Sequence, residues 1–440
     1  MSQLPVAVIG AGPQGLAAAA HLLERDLAPV VLEAGHGPAA AVFEWGHVRT
    51  FSAWPELIDK AAARLLAPTG WQAPESGYPT GAEWIDRYLR PLADVLGDRV
   101  RYGARVTGVS RKGRDRLVGA GRAEQPFVLH ITAPDGAEDR LEARAVIDAS
   151  GTWRQPGPAG ADGLPALGER AAGGVVRYQI PDFADPAPYA GKHTVVVGAG
   201  HSAATAVIEL ARVAEAYPGT QVTWVLRRGV TNTTFGGGAA DELPERGALG
   251  TRARQAVEAG RVGLVTGFRT QRVRTDAAGR AVLVAEDERE LVPADAVVVL
   301  TGFRPDLSFL LEMRIDLDPV LQAPRRIAAS IDPNAHSCGT ATPTLAADLA
   351  HPEPGLYLVG MKSYGRAPTF LAMTGYEQVR SVVAELAGDH EAAARGELVL
   401  PDTGVCSGGG LFDDPDGTSA GGCCVPAARL VQIGRAPAGA

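Results

Sequence analysis

Apolar residues open the chain with a short uncharged run, Val6, Val8 and Ile9, which predicts a strand buried on both faces. A glycine-punctuated turn follows, then an Ala/Leu-rich helix, and Val30 to Leu32 form a second short strand that ends at Glu33. The same succession returns at residue 193, where HTVVV, a glycine turn, an Ala/Val/Leu helix and the strand QVTWVLRR follow one another. Strand, turn, helix and strand in that order predict a βαβ unit, and its repetition predicts an α/β chain. Between the two units the pattern changes twice. Residues 41 to 84 are irregular and aromatic, with Phe43, Trp45, Phe51, Trp54, Trp71, Tyr78 and Trp84. Thr80 and Glu83 then form a capping box for a helix to about Leu96, in which Trp84, Ile85, Tyr88, Leu89, Leu92 and Leu96 recur at helical spacing and read as core. Residues 99 to 109 and 127 to 147 read as strands of a three-stranded meander with a hairpin turn at PDG, 134 to 136. The run ARAVIDASGTW, 143 to 153, makes an apolar strand ending at Ser150, Gly151 and Thr152, and Pro156 to Gly163 read as a linker.

After the second unit, 229 to 250 are glycine-rich and polar, and 251 to 300 resume helix and strands. Val297 to Leu300 end at Thr301 and Gly302, a near repeat of Ser150, Gly151, Thr152. Such turns on both sides of the second unit mark where the chain leaves and re-enters the first, so the second unit reads as an insertion. A strand at 354 to 360 and a helix over 368 to 388 complete the first. Lys362, Ser363, Tyr364 and Arg366, between them, are either polar contacts for a ligand or solvated loop residues.

The glycines carry the chemistry. Gly10, Gly12 and Gly15 form G-x-G-x-x-G between strand and helix: the first allows the tight turn, the second lets a pyrophosphate approach the backbone, and the third lets helix and strand pack closely. The helix N-terminus offers N–H groups and partial positive charge to the phosphates. Glu33, at the end of the second strand, is placed to accept hydrogen bonds from ribose hydroxyls. In the second unit Gly198 and Gly200 keep their places and Ala203 stands at the third, a tolerated exchange. Its second strand ends in Arg227 and Arg228 rather than an acid. An acid there suits a free 2′-hydroxyl, whereas arginines pair with a 2′-phosphate through charge-assisted hydrogen bonds. The expectation is FAD in the first unit and NADPH in the second: an FAD-binding Rossmann-like domain with a nested NADPH-binding Rossmann-like domain. Gly151, Gly302 and Gly360 are expected beside the cofactors as strand-end turns, with Lys362 as a polar contact. The aromatic stretch from 41 to 84 either packs onto the core as a loop or lines the pocket.

Composition narrows the setting. A formal charge of −8 without a basic cluster points away from nucleic acid. No apolar run approaches the ~18 residues that a membrane span requires, and no secretory signal precedes the first strand, so a cytoplasmic protein is expected. Four cysteines, Cys338, Cys406, Cys423 and Cys424, do not form a disulfide framework.

GAGPQG, DASGTW, GAGHSA, LTGFRP and YLVGMKSYGR stand in the order found in two-dinucleotide-binding-domain flavoproteins, and the chain resembles that family over residues 5 to 388. The domains implied are 1–154 and 301–388 for FAD, 155–300 for NADPH, and a tail from 389 to 440. GAGHSA and TGFRP resemble the flavin-dependent monooxygenases more than the disulfide reductases. YLVGMKSYGRAPTFL with a cysteine tail resembles an actinobacterial group of monooxygenases associated with arsenic resistance. Two departures stand out: no Phe-x-Gly and His precede GAGHSA, and no Gly-Gly-x-Trp follows Glu33. The resemblance implies hydride delivery from NADPH to FAD, then reaction with dioxygen. One oxygen atom passes to a soft nucleophilic small molecule if the site is shielded from water; otherwise hydrogen peroxide forms. His47 and Arg49, near the expected flavin edge, are the candidate catalytic residues. The tail is either incidental or a thiol arm in which Cys406, Cys423 and Cys424 bind a thiophilic metalloid such as trivalent arsenic. Two other readings are a reductase of disulfides or metals, for which no C-x-x-C or C-x-x-x-x-C pair exists, and a dinucleotide-bound redox sensor or metalloid-binding protein.

Overall fold

The computed structural model describes residues 4–230, 234–235, 243–332, 343–367 and 370–398. All four cysteines lie outside these residues, as does the tail expected to bind a metalloid from residue 399 onward; the first residues of that tail, from 389, are described and hold a short helix, His390–Ala394, capped by Asp389. Among the described residues, β1 (Val6–Ile9), β2 (Pro29–Leu32), β3 (Val100–Arg101), β7 (Ala145–Asp148) and β15 (Leu356–Leu358) form a parallel sheet in the order β15-β7-β1-β2-β3. β1 is central and buried along its whole length. Its alternate residues serve different cores: Val6 and Val8 pack with helix residues such as Leu16 and Ala17, whereas Ala7 and Ile9 pack with the meander. That meander is β4 (Arg105–Arg111), β5 (Phe127–Thr132) and β6 (Glu138–Ala143), antiparallel in register from Arg105↔Thr132 and Phe127↔Ala143.

Helix α1 (Pro13–Glu24) begins at Gly12, which caps it with extended backbone, and Pro13 occupies the first turn, where its missing N–H costs no helical bond. Gly15 is required by contact. A Cβ there would stand 1.9 Å from the Gly10 carbonyl oxygen. Four fully buried alanines, Ala17 to Ala20, continue the close seat of α1.

A second parallel sheet runs β11-β10-β9-β14-β8, built from β8 (Val176–Arg177), β9 (His193–Val197), β10 (Gln221–Val225), β11 (Gly263–Val265) and β14 (Ala296–Val299). The hairpin of β12 (Thr270–Thr275) and β13 (Ala281–Ala285) packs against one of its faces through Val273 and Leu283. The outgoing and returning linkers lie side by side: Pro156 bridges Phe303, Gly157 N–H donates to Gly302 O at 2.7 Å, and Arg304 N–H to Gln155 O at 2.8 Å.

The helix expected from Thr80 to Leu96 opens with α2 (Gly81–Trp84) and its capping box, with Glu83 N–H on Thr80 Oγ1 and Thr80 N–H on the Glu83 carboxylate. It is not regular throughout. Ile85–Leu89 form a π turn, because Pro91 has no N–H to give the carbonyl of Arg87; Trp71 Nε1–H takes that carbonyl instead, at 2.8 Å. A buried carboxylate fastens the meander to the segment leading into β15: Glu353 receives Arg111 at 2.8 Å and Arg122 at 2.8 Å. Burial alone would raise the Glu353 pKa, but its bonds to the two guanidinium groups more than offset that and hold it below the usual carboxylate value.

Candidate functional site: a cavity shared by two glycine cradles

A cavity of about 520 Å³ opens at the carboxyl ends of β1, β2 and β7, where ligands bind in open α/β sheets. Gly10, Gly12, Glu33, Gly151 and Gly360 line it. Gly10 (φ +98°) and Gly151 (φ +68°) make turns that other residues rarely adopt. Around Gly12 nothing stands within 4 Å of the position of a Cβ, so the absent side chain leaves open space at the head of α1. The first turn of α1 carries no acid that would compete with a phosphate. Glu33 accepts Ala11 N–H and Gly35 N–H, each at 2.7 Å, which fixes its carboxylate at the cavity wall.

The opposite wall comes from helix α3 (His201–Ala216), capped by Gly200, through His201, Ser202 and Thr205. This helix also lacks an acid in its first turn, and a Cβ on Gly200 would again meet nothing within 4 Å. Gly198 is required by contact, with a Cβ position 2.2 Å from Leu300 O, and Ala203 is fully buried. Gly302 (φ +94°) turns the returning linker and stands outside the lining. Arg227 Nη1 donates to Ala161 O of the outgoing linker at 2.9 Å, and Arg228 is half-buried; neither lines this cavity.

The aromatic segment contributes Trp45, Val48, Arg49, Thr50, Phe51 and Ser52, together with Trp84 from the capped helix. Trp45 and Trp84 pack with centroids 6.4 Å apart. Phe43, by contrast, faces solvent, and Trp54 belongs to the core.

The structure separates the two expected catalytic residues. Arg49 reaches the cavity edge, but its guanidinium donates to the Tyr78 carbonyl and lies 3.6 Å from the Glu83 carboxylate. His47 does not line the cavity; its Nε2 donates to Ile180 O at 3.0 Å. Lys362 is also placed otherwise than expected: it is fully buried behind the lining, with Nζ 2.7 Å from Asp148 Oδ2 and 2.9 Å from Ser150 Oγ, and 4.4 Å from the centroid of Phe309. A buried ammonium must be paired, and Asp148 at the end of β7 supplies the carboxylate.

Several lining residues escaped the sequence reading. Trp153 and Arg154 from the outgoing linker, Ile180 from the second unit, and Phe370 and Leu371 ahead of the helix α4 (Ala372–Leu386) meet here. His201 and Ser202 directly follow the second glycine pair, so their place could have been inferred from that motif.

Two parallel sheets, each with a glycine turn leading into a helix at a common cavity, define a protein of the two-dinucleotide-binding oxidoreductase fold. A family model described as pyridine nucleotide-disulphide oxidoreductase matches residues 7–324, and the chain belongs to that family. Among curated relatives, the chain is 29% identical over 206 residues to the indole-3-pyruvate monooxygenase YUCCA1 of Oryza sativa subsp. japonica, covering 47% of this chain and 44% of the relative. It is 30% identical over 235 residues to a ferredoxin–NADP reductase of Nocardioides sp., covering 48% of this chain and 61% of that protein. The matches thus span about half the length of these relatives. In fold, the chain is similar to the bacillithiol disulfide reductase Bdr of Bacillus cereus, with TM-score 0.65 and 19% identity over 88% of this chain and 99% of the other. It is also similar to the FAD-bound cadaverine monooxygenase DfoA of Erwinia amylovora, with TM-score 0.59 and 16% identity over 92% and 99% of the two chains.

Proposed function

We propose that the protein is an FAD- and NADPH-dependent oxidoreductase that acts as a monooxygenase on a small, soft nucleophile. Residues 1–154 and 301–388 hold FAD and the inserted 155–300 hold NADPH. The observation that supports this most is the shared cavity, in which Gly10 and Gly12 face the same space as His201, Ser202 and Thr205. Two dinucleotides laid on the two helix N-termini would each border this one cavity. Gly12 and Gly200 give the pyrophosphates room, Glu33 meets the FAD ribose, Arg227 and Arg228 take the NADPH 2′-phosphate, and Trp45, Phe51 and Trp84 keep water from the reacting ends. The flavin supplies the redox chemistry with dioxygen; the chain binds, orients and shields.

A monooxygenase is favoured over a disulfide reductase because no cysteine precedes Cys338 and no C-x-x-C or C-x-x-x-x-C pair exists anywhere in the chain. The sequence resemblance makes a trivalent arsenical the first substrate to try, with Cys406, Cys423 and Cys424 as its thiolate trap. A cytoplasmic location is part of the proposal. Among the described residues, no helix is long and apolar enough to cross a membrane.

The test is oxygen uptake with NADPH across arsenite, methylated arsenicals, thioethers and amines, with product analysis. Substrate-dependent oxygen uptake with an oxygenated product supports the reading. Rapid NADPH oxidation that consumes no oxygen moves it to a reductase, and a protein that binds both nucleotides without turnover moves it to a sensor.

A further inference from the structure

One carboxylate between the two cradles gathers residues from separate parts of the chain. Glu44 is the last residue of the helix Ala40–Glu44, which follows directly on the turn after β2. Its Oε2 accepts Trp153 Nε1–H at 2.8 Å and Gln179 Nε2–H at 3.0 Å, while Oε1 pairs with Arg154 Nη2 at 2.7 Å. Trp153 and Arg154 belong to the outgoing linker and line the cavity. Gln179 lies beyond β8, in the second unit. The indole of Trp153 in turn stacks on Phe303 of the returning linker, with centroids 5.1 Å apart and planes at 29°. Glu44 therefore seats a cavity-wall tryptophan on the point where the two linkers cross.

The residues after Glu44 repeat the tie. His47 reaches Ile180 O at 3.0 Å, and the ring of Phe51 packs 5.5 Å from that of His201 at the head of α3. An exposed ion pair alone contributes little. Here one carboxylate accepts from three donors, and two neighbouring contacts lie on the same boundary.

We propose that Glu44 is a positioning residue for hydride transfer: by seating Trp153 and holding Gln179, it sets the second cradle at the angle at which the two dinucleotides meet. The inference rests on the function proposed above. The reaction served is NADPH + H⁺ + FAD → NADP⁺ + FADH₂, and no atom of Glu44 is exchanged in it. Reactants held in contact are sensitive to placement, a displacement of about 1 Å costing on the order of 100-fold in rate. A loosened clasp therefore shows in the reduction step rather than in cofactor binding.

The experiment is anaerobic stopped-flow reduction of the holoenzyme by NADPH, comparing the native chain with Glu44→Ala, Glu44→Gln and Gln179→Ala. FAD content, thermal midpoint and hydrogen exchange over residues 151–157 and 176–182 are measured in parallel. Glu44→Ala is expected to keep its FAD, to exchange faster in those two segments, and to lower the limiting reduction rate roughly 10- to 100-fold with little change in half-saturating NADPH. Glu44→Gln, whose amide oxygen still accepts from Trp153, should recover much of the rate. A native flavin that NADPH does not bleach overturns the oxidoreductase reading, and the positioning role with it. A native flavin that bleaches, with Glu44→Ala equally fast, overturns the positioning role alone. Equal losses in the Ala and Gln variants accompanied by loss of FAD make Glu44 a structural strut and also overturn it.

Discussion

The ammonium of Lys362 lies 2.7 Å from the carboxylate of Asp148, and both side chains are fully buried. The pair spans the ends of adjacent strands β15 and β7 and so fixes the spacing of two turns, at Gly360 and at Ser150–Gly151, that both line the cavity. Removing one partner leaves an uncompensated buried charge, which typically costs ~3–5 kcal/mol. Lys362→Met should lower unfolding stability by about that amount in urea denaturation and reduce FAD content through the displaced Ser150 turn. Adding Asp148→Leu to it should restore much of the stability. A single variant as stable as the native chain argues against the pair as the fixing element.

Gly12 and Gly15 should fail in different ways. Gly12 has ordinary backbone angles (φ −76°) and open space around its missing Cβ, so Gly12→Val should fold and yet exclude the pyrophosphate, giving colourless protein with native circular dichroism. Gly15→Val drives its Cβ against the Gly10 carbonyl and should be deficient in soluble, folded protein. A yellow Gly12→Val with full flavin content contradicts the assignment of this cradle to FAD.

NADPH should be preferred over NADH. If Arg227 and Arg228 pair with the 2′-phosphate, losing one charge-assisted bond at ~1.5 to 3 kcal/mol lowers the NADPH-to-NADH ratio of kcat/KM roughly 10- to 150-fold. Arg227 also holds Ala161 O, so Arg227→Ala should additionally loosen the outgoing linker. An unchanged ratio in the double variant removes the arginines from the nucleotide site.

Acid should weaken the fold through His351. Burial pushes its pKa down to about 4, below the ordinary value of 6.5, partly countered by the negative charge of Asp316; the Asp316 N–H, donating to Nδ1 at 3.3 Å, holds the neutral ring in place. The unfolded chain therefore binds the proton more readily, and the contribution is fully present above pH 6.5 and is lost as pH falls toward 4. From pH 7 to pH 5 this one group should cost about 2 kcal/mol. His351→Asn, which cannot titrate, should lose correspondingly less over the same interval in paired denaturation curves. Identical pH dependence in the two proteins contradicts the assignment.

Both βαβ units, the meander and the capping box at Thr80 and Glu83 were legible in the sequence because each depends on a few neighbouring residues: a run of apolar side chains, a glycine at a tight turn, an acid three positions after a threonine. The glycine positions carried the expectation of nucleotides for the same reason, since Gly15 and Gly198 answer to backbone atoms that any strand–turn–helix of this form brings together. Side-chain destinations were not legible. Lys362, expected at a ligand, is paired with Asp148 at a separation of 214 positions, and His47, expected at the reacting centre, is bound to the carbonyl of Ile180, 133 positions away. Glu44 carried no signal at all, because its partners come from the linker and the second unit. A charged or polar group must find a partner once water is removed, and which partner is near depends on strand order and on where the linkers cross. The local sequence determined the two cradles of this protein; only the tertiary structure decided which side chains stand between them.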